Sequence, residues 1–224
     1  MIARLLIQNV IWIVGMGAVL FVSAGTLHWP AAWAFLSTMA VLGLAFGLWL
    51  AKADPALLAE RMNSMMQPQQ PASDKIFMVV FGVVALSWLL LMGFDRRAGT
   101  TGMPLALQVF GFLLVLLSMG FALWVMRENS FAAPVVKIQT ERGHHVISSG
   151  PYAWVRHPMY SSTIFFFVGM PLMLGSWRGL IMAPVFIVLF GFRARLEESA
   201  LVAGLPGYAD YLERVRYRLI PGIW

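Results

Sequence analysis

Between Arg4 and Lys52 the chain carries no ionisable side chain except His28, across 47 residues. A helix needs about 20 apolar residues to cross a hydrocarbon core of roughly 30 Å, so this stretch has room for two crossings and a turn. His28-Trp29-Pro30 supplies the turn. A cleavable signal peptide is a rival reading of the first segment. Its apolar run, Leu5 to about Leu27, is longer than the roughly 7–15 residues of a signal core, which favours a retained helix. Of the 224 residues only 12% are charged and 60% are hydrophobic, against about 25% charged in an ordinary soluble domain. A soluble globular fold is excluded, and an all-α, polytopic transmembrane bundle is expected.

The same reasoning divides the rest of the chain. Lys52 to Lys75 is polar and proline-containing, with Leu57, Leu58, Met62, Met65 and Met66 spaced for one face of a short interfacial helix. Charge-free runs at Ile76 to Phe94 and Ala98 to Met126, separated by Asp95-Arg96-Arg97, give spans three and four. Polar residues 127–156 follow, then apolar runs at Pro158 to Trp177 and Gly179 to Phe192. The last run measures about 21 Å as a helix, so it either borrows flanking residues or forms a tucked hairpin. Two units result: 1–126, four helices with the 52–75 loop, and 127–224, a catalytic region with the hairpin 158–192 and a C-terminal helix and tail. There is no internal repeat.

The net charge of +6 could mark a nucleic-acid surface, so its placement decides. In the six-span layout thirteen Lys and Arg fall on the side of the N-terminus, the 52–75 and 127–156 loops and the tail, and three on the other. That asymmetry follows the positive-inside rule and predicts an integral membrane protein with both termini and the polar segments in the cytoplasm. It also argues against a nucleic-acid partner. The chain has no cysteine, which removes thiolate ligands and nucleophiles. His144 and His145 are adjacent and no His-x-x-x-His spacing occurs, so no metal site is expected.

Chemistry-bearing residues gather at two membrane borders, Gly143 to Tyr160 and Arg193 to Glu198. Ionisable groups at such borders are costly and are functional candidates by default. In Arg156-His157-Pro158 the proline suits the first helical position and pushes the preceding residue into extended backbone. His157 and the free N–H groups of the new helix should then face one spot, suited to an anionic or acceptor group. In a continuing helix Arg193 and Glu197 are four apart and share a face from which Glu198 turns away. The plain alternative is a solvated ion pair there, and ordinary interfacial side chains for the histidines.

Gly150-x-Tyr152, Arg156-His157-Pro158-x-Tyr160, a hydrophobic hairpin, Glu197-Glu198-x-x-Leu201, Tyr208-x-x-Tyr211 and Pro221 follow in this order. Over residues 129–224 the chain thereby resembles the integral-membrane methyltransferases of the isoprenylcysteine carboxyl methyltransferase and phospholipid methyltransferase superfamily. The resemblance implies S-adenosylmethionine as cofactor, bound without a Rossmann fingerprint, which is also absent here. It implies that His144, His145, Val146, Ile147 and Tyr152 line the adenosine pocket. Arg156, His157, Pro158, Met159, Tyr160, Glu197 and Glu198 would complete the cofactor site, with Glu197 and Arg193 as catalytic residues and Arg193 orienting the acceptor. Lys137 falls where the eukaryotic carboxyl methyltransferases have a polar cofactor contact.

Methyl transfer is an in-line displacement that mainly requires alignment and exclusion of water. A carboxylate acceptor would arrive ionised and could be held by Arg193, whereas an amine or thiol would need Glu197 or a histidine as base. The expected partner is a lipid-like or hydrophobic acceptor that enters between spans, with membrane lipids around it. Met170, Met173, Met182 and phenylalanines 165–167 are candidates for that route, or else simple packing residues. Two other readings are an NADPH-dependent reductase, since membrane sterol reductases share the Arg-His-Pro-x-Tyr region, and a non-enzymatic transport or assembly subunit.

Overall fold

The structure is a computed structural model describing residues 1–100 and 102–224, and these are helical with no strand among them. Helices α1 (Ile2–Ala24), α2 (Pro30–Ala53), α4 (Ala72–Arg97) and α5 (Leu105–Glu128) are each long and apolar enough to cross a membrane. A fifth such element is the paired helix of α7 (Trp177–Ile181) and α8 (Ala183–Gly204), and the shorter apolar α6 (Pro158–Leu174) lies beside it. The expected all-helical membrane bundle is what forms. Its outer face stays apolar: Ile7, Ile11, Trp12 and Val14 on α1 and Val79 and Val83 on α4 are exposed. A bundle set in hydrocarbon can leave such side chains uncovered, because only its backbone must be satisfied internally.

Small residues decide how closely α5 and α6 approach. A Cβ on Gly111 would lie 2.6 Å from the Gly169 carbonyl oxygen, and one on Gly169 would lie 2.8 Å from that of Gly111. Backbone-to-backbone packing of this kind substitutes for the hydrophobic drive that lipid removes. Around it α4, α6 and α8 contribute an aromatic core in which Phe167 stacks on Phe186 at 4.2 Å and Trp88 packs edge-on against Phe167 at 5.7 Å. Phe167 and Met170 are therefore core residues, the packing alternative of the sequence reading. Met173 is likewise buried in that core, although it also borders a small apolar pocket between α2, α5 and α6.

The two ends of the hairpin decide between the alternatives that the sequence leaves open. The turn between α6 and α7 is fixed by Ser176, which caps α7 through Gly179 N at 2.9 Å. Its hydroxyl also donates to the fully buried Asp95 at 2.7 Å. At the other end α8 does not stop at Phe192 but runs on to Gly204, so that α7 and α8 together span 28 residues. The short apolar run thus borrows residues on both flanks, and the extension carries Arg193, Glu197 and Glu198 out of the bundle.

The 52–75 segment holds one short helix, α3 (Pro55–Arg61), whose Leu57 and Leu58 pack with Met62 against Leu5, Leu50 and Met126. Met65 and Met66 lie past its end and are exposed, so the expected apolar face stops one turn early. A last helix, α9 (Tyr208–Arg214), leads into a tail that turns back under the start of α6. There Arg156 N donates to Tyr217 O and His157 N to Arg218 O, each at 2.9 Å, while Ser161 Oγ donates to Leu219 O at 2.6 Å.

Candidate functional site

Where α5 ends, α6 begins and α8 emerges, the loop 129–157 folds over a cleft of about 830 Å³, counted to its open mouth. The start of α6 is as the sequence predicts: Pro158 is the first helical residue and His157, at φ −123° and ψ 64°, is its cap. Gly150, at φ +55°, opens the turn Gly150–Ala153 that delivers Tyr152. A left-handed backbone is cheap there only for glycine.

One wall of the cleft is aromatic. His144 stacks on Phe131 at 4.4 Å, and His145 meets the same ring edge-on at 5.2 Å. His144 Nδ1 accepts a hydrogen bond from Gln139 N at 3.2 Å. Burial first, then the neighbouring His145 and Arg142, lower its pKa to about 4, so the ring is neutral at pH 7. Tyr152 is held at both ends: its hydroxyl accepts from Asn129 Nδ2 at 2.7 Å and its carbonyl from the Tyr211 hydroxyl at 2.7 Å. Burial pushes Tyr152 and Tyr208 well above the ordinary tyrosine range, so both phenols stay protonated.

The opposite end is polar and built on adjacent glutamates of α8. Glu197 Oε2 accepts from the Tyr160 hydroxyl at 2.5 Å and lies 3.6 Å from His157 Nδ1. Tyr160 and His157 stack almost in parallel, at 2° and 5.4 Å. Glu198 points the other way into a buried knot, taking Arg156 Nε at 2.6 Å, Arg218 Nε at 2.8 Å and His157 Nε2 at 3.3 Å. Arg156 also binds the Val215 carbonyl at 3.0 Å. Glu198 thus joins the start of α6 to the tail, and His157 sits between the two carboxylates.

Of the thirteen candidate site residues, ten line the cleft: His144, His145, Val146, Ile147, Tyr152, Arg156, His157, Met159, Tyr160 and Glu197. Pro158, Arg193 and Glu198 are not among the lining residues. Pro158 starts the helix and Glu198 holds the knot. Arg193 does not pair with Glu197 but with Asp74 of α4, Nε to Oδ1 at 2.9 Å, and gives its Nη2 to the Pro134 carbonyl at 2.7 Å. Lys137 lines the cleft with its ammonium on Glu60 of α3, 2.6 Å away.

Sequence reasoning passed over Asn129, Phe131, Tyr208 and Tyr211 as site residues, though all four line the cleft. The two tyrosines stood in the motif and could have been found there, whereas Asn129 and Phe131 carry no local signal. The Tyr208 hydroxyl is buried and has no hydrogen-bond partner among the described residues. Among the described residues no three His, Asp or Glu side chains gather as a metal site.

Residues 107–205 match the family described as Phospholipid methyltransferase. The Cobalt-zinc-cadmium resistance protein CzcN of Cupriavidus metallidurans is 29% identical over 126 residues, which is 56% of this chain and 54% of that protein. The chain therefore spans about half the length of this curated relative. In fold it is similar to the eukaryotic intramembrane Ras methyltransferase ICMT (isoprenylcysteine carboxyl methyltransferase), with a TM-score of 0.55 and 20% identity, over 96% of this chain and 85% of that one. The family match runs from α5 to α8, a little under half of the chain, and the likeness in shape shows the fold of the bundle.

Proposed function

We propose that this protein is a membrane methyltransferase that uses S-adenosylmethionine to methylate a hydrophobic acceptor. The observation that carries the reading is the cleft's division into an aromatic wall and a polar end that holds one carboxylate, Glu197, with no Lys or Arg bound to it among the described residues. Phe131, the histidines and the apolar Val146 and Ile147 offer a purine an aromatic and apolar surface to lie against. A cationic sulfonium fits beside Glu197. The unpartnered Tyr208 hydroxyl adds a buried donor that a polar ligand would satisfy, and a buried polar atom left unpaired is otherwise costly.

Bound there, the cofactor would supply a methyl group already activated by positive sulfur. The chain's own residues then have two tasks. His144, Tyr152 and Tyr160 fix position, because each is braced by a neighbour: Gln139, Asn129 and Glu197 respectively. The second task is proton handling. Glu197 Oε2 carries the Tyr160 hydroxyl, and among the described residues no hydrogen bond reaches Oε1, which is thus the oxygen placed to take a proton. Excluding water from this end is the work of the folded loop and the start of α6.

The acceptor meets the cleft at the border of the bundle, between apolar helices, so it is lipid-like or at least hydrophobic. The excess of Lys and Arg beside the cleft supports a cytoplasmic border, with both termini on the same side. Calorimetry in detergent with S-adenosylhomocysteine as ligand, and NADPH as control, tests the reading. Saturable binding of the adenosyl ligand alone is expected. Binding of NADPH instead would favour the reductase, and no response to either would end the proposal.

A further inference from the structure

Asp74 stands at the first turn of α4, outside residues 107–205 and outside every motif of the sequence. It is only 2% exposed, yet three donors converge on it. Oδ2 accepts from Gln70 Nε2 at 2.7 Å and from Val136 N at 2.8 Å, and Oδ1 takes Arg193 Nε. The Arg193 guanidinium also lies over the rings of Phe77 at 4.8 Å and Tyr160 at 5.5 Å. It is therefore tied down one layer behind Tyr160, the residue whose hydroxyl meets Glu197 in the cleft. The two cations that do line the cleft are also matched, Lys137 by Glu60 and Arg156 by Glu198. Among the described residues an incoming anion finds Glu197 and no unpaired Lys or Arg lining the cleft.

Resting on the methyl-transfer reading above, we propose that Asp74 is a specificity-determining residue. By holding Arg193 it denies a cation to carboxylate acceptors and directs the cleft toward uncharged nucleophiles that bear a proton, such as a thiol or a neutral amine. The sulfur or nitrogen lone pair forms the new bond to the methyl carbon, and the old methyl–sulfur pair stays on the cofactor sulfur. The proton of the acceptor passes to Glu197, then to water. A carboxylate has no proton for Glu197 to take and meets its charge unscreened, since a bidentate arginine contact is the usual remedy.

The experiment uses the full chain in detergent, labelled S-adenosylmethionine, and three acceptors with the same alkyl tail: dodecanethiol, dodecylamine and dodecanoate. The wild type should favour the thiol or the amine over dodecanoate by at least about tenfold in kcat/KM. Asp74→Asn should move that ratio about tenfold toward dodecanoate, chiefly through its KM, and Asp74→Glu should restore it in part. Affinity for S-adenosylhomocysteine should stay within about threefold in both variants. An unchanged ratio in an Asp74→Asn protein that still binds the adenosyl ligand overturns the proposal. If that variant does not fold, the wild-type comparison decides, and preference for dodecanoate, or no turnover of dodecanethiol and of dodecylamine assayed up to about pH 9 to raise its uncharged fraction, overturns it. A wild type that does not bind S-adenosylhomocysteine fails the parent reading instead, so the two failures are separable.

Discussion

Two acids at opposite ends of the bundle, one wholly buried and one half-buried, have very different surroundings. Asp95, at the end of α4 away from the cleft, is saturated: Oδ1 takes the Thr100 hydroxyl at 3.0 Å and Arg178 Nη1 at 3.2 Å, and Oδ2 takes the Ser176 hydroxyl and Arg178 N. Glu197, at the cleft, has one oxygen occupied and stands near a tyrosine hydroxyl with no partner. Complete polar networks fix a backbone, here the break between α6 and α7. Incomplete ones in a concave site are where a ligand finishes the pairing.

The sharpest way to break this contrast is Asp95→Ala. It strips acceptors from two hydroxyls, a backbone N–H and Arg178, and should cost on the order of 3 kcal/mol of stability. Thermal melting in detergent should show that loss, with S-adenosylhomocysteine affinity kept in the protein that remains folded. Glu198→Ala comes next: removing the anion shared by Arg156, His157 and Arg218 should lower the melting temperature and also weaken binding through the freed His157. Glu197→Gln should do the reverse, leaving melting nearly unchanged while methyl transfer falls by about a hundredfold, the range for a lost proton-transfer group. Equal effects from the two glutamates on both readouts would remove the distinction between frame and site.

Smaller changes sharpen the same contrast. Tyr208→Phe should leave the free protein as stable or slightly more so, because it deletes an unpaired buried hydroxyl, and should cost a few-fold in ligand affinity. His144 gives a pH signature. Its folded pKa, about 4, lies below the unfolded value of 6.5, so the unfolded chain binds more protons between them. Stability therefore declines as pH falls from about 6.5 toward 4, and it is flat above that window. His144→Asn, which keeps an acceptor for Gln139 N, should flatten the decline in melting temperature measured from pH 7 to 5.

The spans were legible because hydrocarbon enforces a simple rule on charge, and the start of α6 because proline leaves few choices at His157. The adjacent glutamates were legible as a pair, and their division of labour followed from helical spacing. The partners were not legible. Asp74 and Arg193 are 119 residues apart in the chain, and nothing local tells a carboxylate which cation will reach it. Asp95 looked like one charge among three in a loop, yet it is wholly buried. The continuation of α8 past Phe192 was legible, because hydropathy ends there while helix propensity continues through Arg193-Ala194-Arg195-Leu196-Glu197-Glu198.

The tail segment 215–219 has a bearing on biogenesis. It follows every helix in the chain, yet it supplies the carbonyls for Arg156 and His157 and the arginine for Glu198. All the spans can be threaded into the bilayer while the reaction chamber is still unfinished. A chain released after deletion of residues 215–219 should still insert its spans but leave Arg156, His157 and Glu198 without these partners, so that S-adenosylhomocysteine binding is lost while membrane insertion is kept.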